Sequence, residues 1–268
     1  IVSGVGVGGD VISFICKIEN VNYREAIQIL AEKAGIALPT SDNAQENKND
    51  FLKQKVYEIN EIVANFYHQN LYLPIAKPAQ EYVKKRKLDN NTLKKFMIGY
   101  SGTGNEVYKL LREKDFTDEQ ILASNLVKKT SYGYSDIYKN RLMFPIQDVR
   151  NKYIAFGGRV LDDSKPKYIN SPENLVYSKG RNLFGLNVAK KGDTKKLLIV
   201  EGYMDVISLH QRGITNVVAP LRNSFNSATR LVIKKKCRAN NFKFWLWWSR
   251  TYSKNKSFRY FTKHGMWY

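Results

Sequence analysis

The sequence predicts an α/β protein, with a mixed α+β amino-terminal part followed by the start of a parallel βαβ unit. Three observations predict it. Helical patterns fill residues 10–36 and 51–126, strand patterns begin after Arg141, and the apolar run Leu197-Leu198-Ile199-Val200 leads through Glu201-Gly202 into a helix. With 268 residues, 43% hydrophobic and 13% aromatic, the chain can bury a core and is not disordered throughout. No stretch of 18 apolar residues escapes a charge, so a membrane-spanning helix is excluded and no membrane partner is expected. Two cysteines, Cys16 and Cys237, are too few for a disulfide framework and fit a reducing, cytoplasmic setting. The opening Ile1-Val2-Ser3-Gly4, with no initiator Met, is expected of a piece of a longer chain.

From the amino terminus, Gly4-x-Gly6-x-x-Gly9 has the spacing of a dinucleotide-binding loop. That loop needs a strand–helix–strand unit around it, whereas residues 11–34 read as helix upon helix, so a simple Gly-rich turn is the better reading. Asn22 with Glu25 forms a capping-box pattern, after which Tyr23, Ile27, Leu30, Ala31 and Ala34 share one helical face. Gly35 ends that helix. Residues 39–50 are polar enough to read as a linker between domains. Three or more amphipathic helices follow, broken at Leu73-Pro74, at Leu88 to Asn91 and at Gly99 to Gly104, with a new start at Thr117. Their aromatics Phe66, Tyr67, Tyr72 and Tyr82 read as core. Then LMFPI and YIAFGGRVL predict a hairpin that turns across Asp148 to Lys152. Val217-Val218-Ala219 supplies the second strand of the βαβ unit.

Forty-four Lys and Arg against 24 Asp and Glu give a formal charge of +20, which favours a polyanionic partner, nucleic acid first. Arg159, Lys165, Lys167, Lys179 and Arg181 alternate with Tyr168, Asn170, Ser171 and Tyr177, a mixture suited to a triphosphate or a single-stranded backbone. Glycines 157, 158 and 180 suggest backbone lying close to a ligand. Glu201, directly after a buried strand, can hold a metal ion or move a proton, with Asp205 four positions on; on position alone, capping the helix is an equal reading. His68, His210 and His264 have no partner at metal-ligand spacing.

The residues GGDVISFICKIENVNYREAIQILAEKAGIALP resemble the end of the zinc-binding domain of bacterial DnaG-type DNA primases. NRLMFPIQDVRNKYIAFGGRVLDDSKPKYINSPENLVYSKGRNLFGL resembles their RNA-polymerase core, and LLIVEGYMDVISLHQRGITNVVAPL the first βαβ of the topoisomerase-primase (TOPRIM) fold. The resemblance divides the chain into a zinc-domain remnant (1–38), a linker (39–50), the amino-terminal part of the core (51–194), an incomplete TOPRIM subdomain (195–221) and a basic tail (222–268). It implies RNA primer synthesis on a single-stranded DNA template from ribonucleoside triphosphates at the replication fork, with magnesium or manganese. By the same resemblance Glu201 is the acidic residue that organises metal or proton transfer, with Asp205 beside it. Arg159, Lys167, Tyr168, Lys179 and Arg181 hold template or nucleotide, and Arg141 does so more weakly. A replicative helicase partners the intact family through a further domain that is not expected in this chain.

Two departures qualify these expectations. Where the family has cysteine ligands for zinc, this chain has Val2 and Val5, and valine cannot ligate zinc. After Ala219-Pro220-Leu221 the family continues with a Gly-Thr turn and, after another helix and strand, an Asp-x-Asp pair. Here Arg222-Asn223 follows, and residues 222–268 hold 12 Lys and Arg, all four tryptophans and no Asp or Glu. Such a segment has the character of a shifted reading frame. It is expected to leave the chain weak or inactive and the TOPRIM sheet with an exposed edge, which leaves a basic, non-catalytic single-strand-binding remnant as the alternative function. Sequencing the encoding DNA across codons 215 to 268 tests this. A second frame that supplies the Gly-Thr turn and the Asp-x-Asp pair is the expected outcome; no sensible alternative frame would make the tail a genuine divergence.

Overall fold

In a computed structural model of the chain, the described residues are 10–19, 23–36, 44–191, 197–221, 244–248, 257–262 and 265–267. The Gly4–Gly9 loop, Asn22, Val2, Val5, Cys237 and His264 therefore lie outside them. Two short helices open the fold, α1 (Val11–Glu19) and α2 (Tyr23–Ala34), in agreement with the reading of helix upon helix. The buried face of α2 is only partly the predicted one: Ala31 is covered as expected and Ile27 and Leu30 are half-buried, but Ala26 and Ile29 are the other covered residues while Tyr23 and Ala34 are exposed. Contacts with the next helix and with the hairpin turn select that face: Arg24 pairs with Asp50 at 3.1 Å and Glu32 with Lys152 at 3.8 Å.

Helix α3 runs from Ala44 to Asn70, so the second half of the expected linker is helical. Its polar composition misled because residues 47–49 are exposed, where polar and charged side chains suit a helix surface as readily as a linker. A 3₁₀ turn (Pro74–Ala76), α4 (Lys77–Lys85) and α5 (Asn90–Lys95) follow at the predicted breaks. The Asp89 carboxylate caps α5 by accepting from the Thr92 N–H at 2.7 Å. Strand β1 (Gly99–Tyr100), α6 (Glu106–Glu113) and α7 (Asp118–Ala123) come next, and α7 starts in a full capping box of Thr117 with Gln120.

A small hairpin, β2 (Val127–Thr130) with β3 (Gly133–Asp136), carries no strong alternation and was not predicted. Asp136 at its end accepts from the Val107 and Tyr108 N–H groups, 2.8 and 3.1 Å away, at the start of α6. Burial pushes its carboxyl up to about 6 although both donors act the other way.

The predicted hairpin is β4 (Arg141–Gln147) with β5 (Tyr153–Val160). Asp148 fixes the turn by accepting from the Arg150 and Lys152 N–H groups at 2.8 and 3.0 Å. With β6 (Tyr168–Asn170) it forms an antiparallel sheet ordered β1-β4-β5-β6. Pro145 is tolerated in β4 because β1 pairs only with Leu142 and Met143, which leaves β4 an edge beside the proline.

Strand β7 (Leu183–Phe184) and α8 (Leu186–Ala189) lead into the βαβ unit of β8 (Leu198–Ile199), α9 (Tyr203–Gln211) and β9 (Val217–Pro220). The tail adds β10 (Phe244–Trp248), β11 (Ser257–Thr262) and β12 (Gly265–Trp267). The second sheet is ordered β12-β11-β10-β8-β9-β7, with β8 parallel to both β9 and β10. The tail strands thus continue the sheet past β8, whose backbone groups are met on both sides, and the edge on that side lies at β12.

One core joins the two sheets: Phe144 and Ile146 of β4 pack in the same cluster as Tyr203, Val206 and Ile207 of α9 and Val217 of β9. A second, under α3, gathers Ile59, Val63, Tyr67, Tyr138 and Phe156. The glycines of β5 belong to these cores, which corrects the suggestion that they face a ligand. A Cβ on Gly157 would stand 2.6 Å from the Tyr203 ring, and one on Gly158 2.7 Å from the Tyr138 ring. Gly157→Ala is expected to destabilise the fold by about 1–3 kcal/mol through this overpacking, read as a lower Tm. An unchanged Tm would show that Tyr203 is free to move.

Candidate nucleic-acid and nucleotide site

The site grows from the β5–β6 pairing, which sets Arg159 opposite Tyr168. The Arg159 guanidinium lies 5.9 Å from the centre of the Tyr168 ring and 4.0 Å from that of Tyr82 on α4. Arg159 is 8% exposed, and its Nη1 donates to the Val160 carbonyl at 2.7 Å. One turn after Tyr82, Arg86 donates from Nε to the Tyr82 hydroxyl at 2.9 Å. Burial pushes the Tyr168 phenol up to about 12, so this ring is neutral at physiological pH.

Tyr203 carries the site across to the βαβ unit. Its ring stacks on Phe144 at 5.1 Å, meets Phe184 edge-on at 4.7 Å and lies 6.2 Å from Tyr168. Its hydroxyl donates to Asn170 Oδ1 at 2.7 Å, while Asn170 Nδ2 donates to the Leu221 carbonyl at 2.9 Å. The turn before it holds Glu201, which is exposed. Asp205 Oδ2 accepts from the Gly202 N–H at 3.2 Å. Burial raises the Asp205 carboxyl above its usual range, opposed by that N–H and by the positive charge of Arg86. The helix-capping role weighed for Glu201 therefore falls to Asp205.

Of the sequence-predicted residues, the structure brings together Arg159 and Tyr168, with Arg141 behind them. Arg141 donates to the carbonyls of Gly158 and Pro166 at 3.2 and 3.4 Å, which ties down the loop that leads to Lys167. Lys167 is exposed. Lys179 lies in the loop anchored by Glu173, whose carboxylate accepts the Lys179 N–H at 2.8 Å. Arg181 lines a different cavity of about 580 Å³, between α2, α3, the hairpin turn and residues 174–182, and none of Arg159, Tyr168 or Glu201 borders it. Tyr82, which the sequence reading placed in the core, and Arg86, which it passed over, are the residues the structure sets beside Arg159. The Tyr-x-x-x-Arg spacing of residues 82 and 86 was the available signal.

Family models match three segments in order: the CHC2 zinc finger over residues 2–46, the DNA primase catalytic core, N-terminal domain, over residues 66–190, and the Toprim domain over residues 195–242. A solved DNA primase domain from Pseudomonas aeruginosa is 31% identical, with a TM-score of 0.59 over 71% of this chain and 70% of that one. The chain belongs to the bacterial DnaG-type DNA primase family. DNA primases of Clostridium acetobutylicum and Aquifex aeolicus are each 38% identical, over 87% and 81% of this chain. The chain spans only 39% and 43% of those two relatives. A DnaG primase catalytic domain solved with single-stranded DNA is 34% identical, with a TM-score of 0.62 over 69% of this chain and 62% of that one.

Within this primase fold the carboxylates are few. A two-metal phosphoryl-transfer centre draws carboxylates from more than one strand end. The strand set beside β8 is β10, Phe244-Trp245-Leu246-Trp247-Trp248, and none of its residues can ligate a cation. Asp205 is the last carboxylate in the sequence, and among the described residues no group of three His, Cys, Asp or Glu is placed to hold a metal ion. Glu201 and Asp205 do not fit a two-metal centre. Val2 and Val5, lacking donor atoms, do not fit zinc.

Proposed function

We propose that this chain is the template-holding and nucleotide-holding core of a DNA primase, and that it transfers nucleotides weakly or not at all. The observation that carries the reading is the imbalance of charge around Tyr82 and Tyr203. Arg86 and Arg159 stand on aromatic rings, with Lys167 one residue before Tyr168, while Glu201 and Asp205 are the carboxylates of the βαβ unit. Cations beside rings suit a single-stranded DNA template, whose phosphates meet the guanidinium groups and whose bases can stack on Tyr168. Ribonucleoside triphosphates, and the RNA primer grown from them, share that chemistry.

In this reading Arg159 and Lys167 bind phosphate, Arg141 shapes the loop that presents Lys167, Tyr168 stacks and Asn170 fixes the sheet against α9. Lys179 and Arg181 extend the basic surface beyond the crevice. Glu201 has the position of a residue that takes up a proton from an attacking hydroxyl. Nucleotidyl transfer must also offset the charge of the triphosphate and leaving group, and basic side chains in the tail do not substitute for carboxylates that hold cations.

The test pairs two assays on the full chain. Labelled oligo(dT) should bind with affinity that falls steeply as NaCl rises from 50 to 200 mM, and Glu201→Gln should leave that binding intact. Ribonucleotide incorporation on single-stranded DNA with Mg²⁺ or Mn²⁺ should stay at background in both proteins. Incorporation that Glu201→Gln abolishes would overturn the inactivity, and binding indifferent to salt would overturn the phosphate contacts.

A further inference from the structure

Arg159 poses a physical problem that its own surroundings do not solve. It is more than nine-tenths buried, its Nε has no hydrogen-bond partner, and among the described residues no Asp or Glu forms an ion pair with it or with Arg86. A buried guanidinium normally carries a carboxylate partner, because desolvation without one is expensive. Here the partner is a ring. The face of Tyr82 lies 4.0 Å from the Arg159 guanidinium, and the same ring, 5.3 Å from the Arg86 guanidinium, holds that residue by its hydroxyl.

We infer that Tyr82 is a positioning residue for binding of single-stranded DNA: one aromatic ring aligns Arg86 and Arg159 without forming an ion pair with either, so both guanidinium groups can answer to backbone phosphate. A carboxylate in its place would hold the guanidinium groups equally well and cancel the field that attracts the phosphates. The ring also explains how two like charges share so small a space. Its π face offsets their repulsion, and Tyr168 closes the other side of Arg159 at 5.9 Å. The role rests on the proposed function of the crevice and deepens it by naming the residue that sets its charge geometry.

The experiment measures anisotropy of a fluorescein-labelled 20-nucleotide oligo(dT) against NaCl for the full chain and for Tyr82→Phe, Tyr82→Leu, Arg159→Gln and the Tyr82→Leu/Arg159→Gln double variant. Tyr82→Phe keeps the face and should bind within about threefold of the parent, since it loses one exposed hydrogen bond. Tyr82→Leu keeps the volume but loses the face. It should bind about 10- to 30-fold more weakly, the scale of a desolvated cation–π contact, with a log–log salt slope lower by about 1. The double variant should be weaker than Arg159→Gln by clearly less than the loss Tyr82→Leu causes in the parent, because only the alignment of Arg86 is then left to lose. A structural role alone would lower the Tm of Tyr82→Leu and give additive losses, which would overturn the inference. Parental binding by Tyr82→Leu with weak binding by Arg159→Gln would refute Tyr82 only. Parental binding by Arg159→Gln would refute the phosphate-binding crevice and the Tyr82 role with it.

Discussion

Tyr203 is fully engaged on every side, and the geometry of both sheets depends on it. Its ring is pressed between Phe144 and the edge of Phe184, over a glycine that leaves room for it, and its hydroxyl reaches Asn170. Because Asn170 also holds the Leu221 carbonyl at the end of β9, one side chain from each subdomain fixes the other. The hydroxyl is buried, which pushes its pKa well above the usual phenol value and keeps it a neutral donor. Together with the shared core of Phe144, Ile146, Val206, Ile207 and Val217, this lock holds the turn bearing Glu201 and the strand bearing Arg159 in one body.

Around that lock the charges are divided unequally. The sheet side contributes Arg159, α4 contributes Arg86, and each rests on an aromatic ring. The βαβ side contributes Glu201 and a half-buried Asp205 that spends one oxygen on its own helix terminus. Membership of the primase family explains the fold. The tail supplies strands that complete the sheet in backbone terms, yet the register position beside β8 is filled by Trp and Leu. Backbone pairing needs only N–H and C=O groups, whereas metal chemistry needs particular side chains, so one can survive where the other is lost.

Much of the fold was legible in the sequence, for identifiable reasons. Turn chemistry placed the Asp148–Lys152 hairpin and the Thr117 cap, and the apolar run at Leu197 led to β8 and α9. Residues 44–50 misled because a polar helix surface and a polar linker share a composition. The β2–β3 hairpin and β6 are short strands without a clear apolar alternation, and β7 is two residues long with its partner β9 about thirty-five residues on. Of the proposed site, Arg159, Tyr168 and Glu201 stand out in the sequence through their motifs. Tyr82 was read as core because a half-buried aromatic on a helix gives no sign of the guanidinium it meets from a strand more than seventy residues later. Gly157 and Gly158 were assigned to a ligand because the sequence does not say whether the close neighbour is a nucleotide or a tyrosine.

The central claim is that this chain keeps the phosphate-binding half of a primase site without the carboxylates that would load it with metal. Titration of Mn²⁺ into the full chain, followed by electron paramagnetic resonance of the free ion, tests this most directly. The account predicts at most one weakly bound ion per chain. Two tightly bound ions, released by Glu201→Gln, would contradict it.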